Sequence, residues 1–168
     1  MSPHPPQPSA TPPTAFLSVC EGGIYEQPHA VRTVLGSCVS VTFFIPNCGL
    51  SAIFHALLPR ADEHRNDRHG GGIYRFVDTS IRMLYDDLLA RGIDRRRIET
   101  KVFGGASIMP GKGFDVGRRN IEAAYDVLAQ LGLRVMASSV GGTFGRKLVF
   151  RTDTGEVFVK QIGKTLLG

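Results

Sequence analysis

The clearest alternation in the chain runs from Val39 to Ile45. Val39, Val41, Phe43 and Ile45 fall on one side and Ser40, Thr42 and Phe44 on the other, the period-two pattern of a strand. Pro46-Asn47-Cys48-Gly49 supplies turn chemistry, and Leu50 to Leu58 runs back, so the two segments are predicted to pair as a hairpin. On the return strand Ile53, His55 and Leu57 share one face, and Pro59 ends it. Upstream, Ala15 to Cys20 reads as a short first strand broken by Glu21-Gly22-Gly23, and Val31 to Leu35 leads into Gly36-Ser37.

The period then changes. Ile73, Val77, Ile81, Leu84 and Leu88 make one helical stripe, stopped by Gly92. Ile98 to Phe103 returns to strand character before Gly104-Gly105, and Ser107 to Asp115 is loose. A second helix is predicted from Gly117 to Leu131, with Ile121, Ala124, Tyr125, Leu128 and Leu131 inward. Leu133 to Ser139 reads as a strand. Lys147 to Arg151 and Val157 to Ile162 form a last hairpin around Asp153-Thr154-Gly155. About eight strands and two helices, with hairpins at both ends, exclude regular βαβ winding. The expected fold is α/β: mixed, mostly antiparallel sheets with helices packed outside, an α/β sandwich. It occupies residues 15–168 as one domain. Residues 1–14 hold six of the ten prolines and read as a flexible tail. The polar connector from Arg60 to Gly72 is long enough to suggest a functional loop.

Composition narrows the function classes. The net charge of +5 is mild, and the run Arg95-Arg96-Arg97 lies beside Asp94 and Glu99 without interleaved aromatics, which argues against nucleic-acid binding. A positive surface suits an acidic protein partner equally well. Cys20, Cys38 and Cys48 are odd in number and match no metal-clip spacing, so a reducing compartment is expected rather than a disulfide framework. No apolar run reaches the roughly 18 residues of a membrane span, and the N-terminus lacks a secretory pattern. The expected location is the cytoplasm, without membrane insertion.

The chemistry concentrates at two residues. Cys38 follows the Gly36-Ser37 corner directly, and His55 stands on the neighbouring strand. A free cysteine is ordinarily a small buried hydrophobe, and a single histidine on an apolar face is ordinarily a satisfied core residue. Their placement on paired strands instead makes them a candidate nucleophile and base. Backbone N–H groups at the Gly36-Ser37 corner are placed to form an oxyanion hole. No carboxylate lies in these two strands to orient the imidazole. Thr33, Ser37, Ser40, Thr42 and Ser51 are the nearby hydroxyls, with Thr33 on the approach to the corner. His4 lies in the tail, and His29, His64 and His69 in loops. His64, Asp67 and His69 match no strong zinc spacing. Five residues separate Gly105 from Gly111, and Gly113 follows Lys112, so the segment is not a phosphate loop.

Leu35-Gly36-Ser37-Cys38-Val39 and His55-Ala56-Leu57-Leu58-Pro59 resemble the two signature blocks of the chemoreceptor glutamine deamidases, the CheD family. The resemblance continues in order through Tyr74-Arg75-Phe76-Val77-Asp78, Lys101 to Ala106, Val116-Gly117-Arg118-Arg119-Asn120 and Gly141 to Lys147. It implies hydrolysis of particular glutamine side chains on chemoreceptor helices to glutamate and ammonia. It also implies a Cys-His-Thr triad, an α/β sandwich similar to that of glutamine-deamidating toxins, and no cofactor or metal. Cys38 and His55 carry over directly. Some members place the threonine six residues before the cysteine, where this chain has Arg32; Thr33, five before, takes the role here. Asp115 stands where members often carry Asn and is read as structural. Many members bind the phosphatase CheC. The competing readings are a chemotaxis adaptor that binds receptor or CheC with little catalysis, and a thiol hydrolase of small molecules.

Overall fold

The computed structural model describes residues 11–65, 72–107 and 115–163. Its strands are β1 (Thr14–Phe16), β2 (Gly22–Tyr25), β3 (Ala30–Leu35), β4 (Val39–Ile45), β5 (Leu50–Phe54), β6 (Glu99–Gly104), β7 (Val135–Val140), β8 (Arg146–Arg151) and β9 (Val157–Gln161). The helices are α1 (Val77–Ala90) and α2 (Val116–Gln130). One sheet has the order β1-β3-β8-β9 and the other β2-β5-β4-β6-β7. Among the described strands only β1–β3 and β6–β7 pair in parallel, so the sheets are mixed and mostly antiparallel, as expected.

The alternation of β4 explains the layering. Val39, Val41, Phe43 and Ile45 bury against Ile81, Leu84 and Leu88 of α1 and Ala124, Val127 and Leu128 of α2. The opposite face of the same sheet meets the four-stranded sheet. There Ile53 and Phe103 pack with Val31, Leu35, Leu148 and Phe150. The helices therefore cover one face of one sheet. The outer face of the four-stranded sheet stays open, with Val34 and Phe158 exposed.

Several boundaries differ from the sequence expectations, each for a local reason. Gly22-Gly23, read as a break, opens β2, which pairs with β5 from Gly22↔Phe54 to Tyr25↔Ser51. A side chain at Gly22 would come within 2.8 Å of Phe54 and Tyr74, so close strand approach, not a turn, requires the glycine. Ile73 is exposed and precedes α1. The intervening Phe76 is extended and bridges to Leu58, so helical winding begins only at Val77. Tyr125 lies at the edge of the α2 stripe and is exposed, whereas Ala124 and Leu128 are buried as expected. β1 opens at Thr14, paired with Ala30, inside the segment read as tail; residues 1–10 lie outside those described. Residues 66–71 and 108–114, within the stretches expected as loops, also lie outside the described residues.

Candidate active site

The hairpin brings the cysteine and histidine to one place. Val39 and Ala56 form an isolated antiparallel bridge, with reciprocal N–H···O bonds of 3.1 and 2.9 Å. Continuing the β4–β5 register sets Ser40 opposite His55. Cys38 and His55 thus stand diagonally across the Val39–Ala56 pair, on the sheet face turned toward the other sheet. Cys38 is half-buried against the inter-sheet cluster, and His55 is buried. The backbone fixes His55 from both sides. Its N–H donates to the Glu21 carbonyl at 2.8 Å, and its carbonyl accepts from the Cys20 N–H at 2.7 Å.

Thr33 reaches the histidine from the facing sheet. On β3 the side chains alternate, so Arg32 and Val34 are exposed while Thr33 is buried. The Thr33 Oγ1 lies 2.8 Å from His55 Nδ1 and 2.7 Å from the Leu17 carbonyl oxygen. A carbonyl can only accept, so the single hydroxyl proton of Thr33 goes to Leu17. The hydroxyl oxygen must then accept from His55 Nδ1–H. This fixes the tautomer, leaving Nε2 unprotonated and able to act as a base.

Burial sets the resting charges. It pushes the His55 pKa down to about 4, against the opposing pull of the Leu17 carbonyl and the Glu21 charge. Burial, then the neighbouring Cys20 thiol, pushes the Cys38 thiol up to about 11, with its own backbone N–H favouring the thiolate in opposition. Both groups are therefore neutral near pH 7. Burial thus favours the neutral thiol and the neutral imidazole over a thiolate–imidazolium pair.

The corner before Cys38 is tied down through its carbonyls. That of Gly36 accepts from Ala106 N–H at 2.9 Å, and that of Cys38 from Gly105 N–H at 2.8 Å. Between them, the Ser37 carbonyl accepts from Asn120 Nδ2 at 2.9 Å. Gly36 itself has no left-handed φ; the left-handed glycines here are Gly104 and Gly105, at φ +104° and +69°. A Cβ on Gly104 would sit 2.1 Å from the Cys38 carbonyl oxygen.

The other hydroxyl candidates do not meet the histidine. Ser40 and Ser51 are buried with no partner for Oγ, and Thr42 is buried further along β4. His29 Nδ1 donates to the Gln27 carbonyl at the surface, and His64 Nδ1 to that of Arg60. Asp67 and His69 lie outside the described residues. Among the described residues, no group of three or more His, Cys, Asp or Glu side chains could hold a metal ion. Asp115 proves structural: it caps α2 by accepting from Arg118 N–H at 3.0 Å. Sequence reasoning missed Leu17, Glu21 and Asn120. For Asn120 a signal existed, a polar residue in the apolar stripe between Gly117 and Ala124.

The family model described as CheD chemotactic sensory transduction matches residues 57–161. A probable chemoreceptor glutamine deamidase CheD 2 of Geobacter sulfurreducens is 43% identical over 159 residues, covering 91% of this chain and 92% of that protein. Too few residues remain outside that match to exclude the segment from Thr33 to His55. A probable chemoreceptor glutamine deamidase CheD of Oleidesulfovibrio alaskensis is also 43% identical, over 88% of this chain and 72% of its own length. The chemoreceptor glutamine deamidase CheD of Thermotoga maritima is 30% identical over 88% of this chain and 91% of its own. Among solved structures, the hypothetical protein YfiH of Bacillus licheniformis aligns with 73% of this chain and 51% of its own at a TM-score of 0.45 and 14% identity. With the family model matching more than half of its length and these relatives nearly all of it, the chain belongs to the CheD family.

Proposed function

We propose that this chain is a protein-glutamine deamidase acting on chemoreceptors, with Cys38 as nucleophile, His55 as base and acid, and Thr33 as the residue that orients His55. Family membership supports the substrate class. The observation that carries the roles is the Thr33–His55 hydrogen bond of 2.8 Å, which leaves Nε2 as the unprotonated ring nitrogen of a histidine diagonal to Cys38 across the Val39–Ala56 pair.

Because thiol and imidazole are both neutral at rest, proton transfer accompanies attack. His55 Nε2 takes the Sγ proton as Sγ bonds to the amide carbon of the substrate glutamine. The carbonyl oxygen becomes an oxyanion, which the Cys38 N–H faces as a donor. The C–N bond then breaks, and His55 Nε2–H protonates the departing nitrogen, releasing ammonia and leaving a thioester. Water attacks the thioester carbon while His55 accepts its proton. The C–S bond breaks, the sulfur regains its proton from His55, and the side chain leaves as a carboxylic acid that gives its proton to solvent and becomes glutamate. Each step conserves atoms and charge without a redox partner.

The finer partner assignments rest on the family resemblance. A CheC phosphatase is proposed as a second partner that competes with receptor, and the cytoplasm as the place of action. Binding with little catalysis, the adaptor reading, separates from the enzyme reading by turnover. Purified protein mixed with a receptor cytoplasmic fragment should release ammonia over many turnovers. Binding of the fragment without ammonia release would favour the adaptor.

A further inference from the structure

Asn120 is fully buried on α2, with no catalytic neighbour on its own helix. Both protons of its amide nitrogen are used: Nδ2 donates to the Ser37 carbonyl at 2.9 Å and the Leu57 carbonyl at 3.1 Å. One bond holds the residue before Cys38, and the other holds the second residue after His55. Its Oδ1 is buried without a hydrogen-bond partner. Reversing the amide would set that oxygen against two carbonyls, so the donors must face the corner. Natural structures rarely leave a buried polar atom unsatisfied without cause.

Glycines let the helix come close enough. A Cβ on Gly117 would lie 2.4 Å from the Ala106 carbonyl oxygen and 2.6 Å from that of Gly105. A Cβ on Gly105 would lie 2.3 Å from the Ile121 side chain. With these side chains absent, the first turn of α2 rests on the backbone of the Gly105-Ala106 segment, and Asn120 passes under the corner.

The peptide group between Ser37 and Cys38 is trans and planar, so its C=O and N–H point in opposite directions. Drawing the Ser37 oxygen toward α2 turns the Cys38 N–H away from α2, toward the inter-sheet side where the thiol stands. Neither the Ser37 nor the Cys38 N–H bonds to another described residue. We infer that Asn120 is a positioning residue that locks the Ser37–Cys38 peptide with its N–H toward the reacting carbonyl, so that this N–H serves as an oxyanion donor.

This rests on the deamidase reading, and its test separates the two. Oxyanion stabilisation acts on amide hydrolysis but not on alkylation of the thiol by iodoacetamide, which forms no oxyanion. Asn120→Ala should lower kcat for ammonia release from a receptor cytoplasmic fragment by about 10- to 100-fold, with KM within about threefold. Cys38 alkylation by iodoacetamide should slow by less than about fivefold, the part that reflects the Cys38 N–H favouring the thiolate. Asn120→Ser, which keeps a hydroxyl and leaves room for water, serves as the second variant if Asn120→Ala does not fold, and should fall less far. A parallel fall in kcat and alkylation would overturn the inference. So would an unchanged kcat, or the failure of both variants to fold, which would make Asn120 a stability element. Absence of wild-type turnover would instead overturn the deamidase reading.

Discussion

His55 Nδ1–H donates to the Thr33 hydroxyl at 2.8 Å across the gap between two sheets, and that hydroxyl spends its own proton on the Leu17 carbonyl. A neutral threonine stands where a carboxylate would otherwise stabilise imidazolium. It sets direction and tautomer but adds no charge. This fits the proposed role of His55 as a base that stays neutral until the reaction needs it.

Thr33→Val keeps the shape and removes the acceptor. The buried Nδ1–H then loses its partner, at a cost of about 1–3 kcal/mol. The histidine can recover by changing tautomer or turning, and either change withdraws Nε2 as the base. We expect kcat to fall about 10- to 100-fold, while Thr33→Ser stays within about fivefold of wild type. Steady-state ammonia release from both variants checks this. Equal activity in Thr33→Val and wild type would remove Thr33 from the mechanism.

The depressed pKa of His55 sets the acid limb of activity. In the free protein the base is lost only as pH falls toward about 4, not through the usual histidine range near 6.5. Between pH 8 and 6, kcat/KM should therefore show no loss from this group. With Cys38 raised to about 11, iodoacetamide alkylation should climb steadily from pH 7 to 10. A plateau reached below pH 7 would reveal a preformed thiolate and contradict the neutral pair.

The same shifts bear on stability. Unfolded His55 binds a proton below about 6.5, and folded His55 only below about 4. Between these values the unfolded chain holds more protons, so stability falls as pH drops through this window, by up to about 3 kcal/mol. For Cys38 the unfolded thiol ionises near 9 and the folded one near 11, so stability also falls as pH rises from 9 to 11. Urea denaturation of wild type and His55→Gln at pH 7.5 and 5 isolates the first effect. The stability lost between those pH values should be smaller in the variant.

Gly104→Ala tests the corner itself. Its φ of +104° disfavours any side chain, and the Cβ would overlap the Cys38 carbonyl oxygen at 2.1 Å. Strain of about 1–3 kcal/mol or more is expected. The displaced Cys38 peptide should reduce kcat beyond any effect of the lowered Tm. Thermal denaturation beside kinetics below the transition checks both parts.

Much of the site was legible because its proposed nucleophile and base lie on one hairpin. The alternation of Val39 to Ile45 set the face of the strand, and the turn at Pro46 to Gly49 set its pairing with the strand of His55. Thr33 was harder to choose. It belongs to the other sheet, and five nearby hydroxyls have the same chemistry in the sequence. Only the packing of the sheets shows that Ser40 and Ser51 miss the imidazole while Thr33 meets it. Leu17 meets Thr33, and Glu21 holds the His55 N–H, through backbone carbonyls, which carry no residue signature. β2 was hidden because Gly22 answers to close approach by Phe54 and Tyr74, and that constraint exists only after folding.

The central claim is that Cys38 attacks a receptor glutamine. It is tested by incubating wild type and Cys38→Ala separately with a purified receptor cytoplasmic fragment and mapping the fragment's peptides by mass spectrometry. Wild type should raise the mass of specific glutamine-containing peptides by about 1 Da, the amide-to-acid change that hydrolysis through a thioester requires. The Cys38→Ala protein, folded by circular dichroism, should leave them unchanged. Conversion at the wild-type rate by Cys38→Ala would contradict the account.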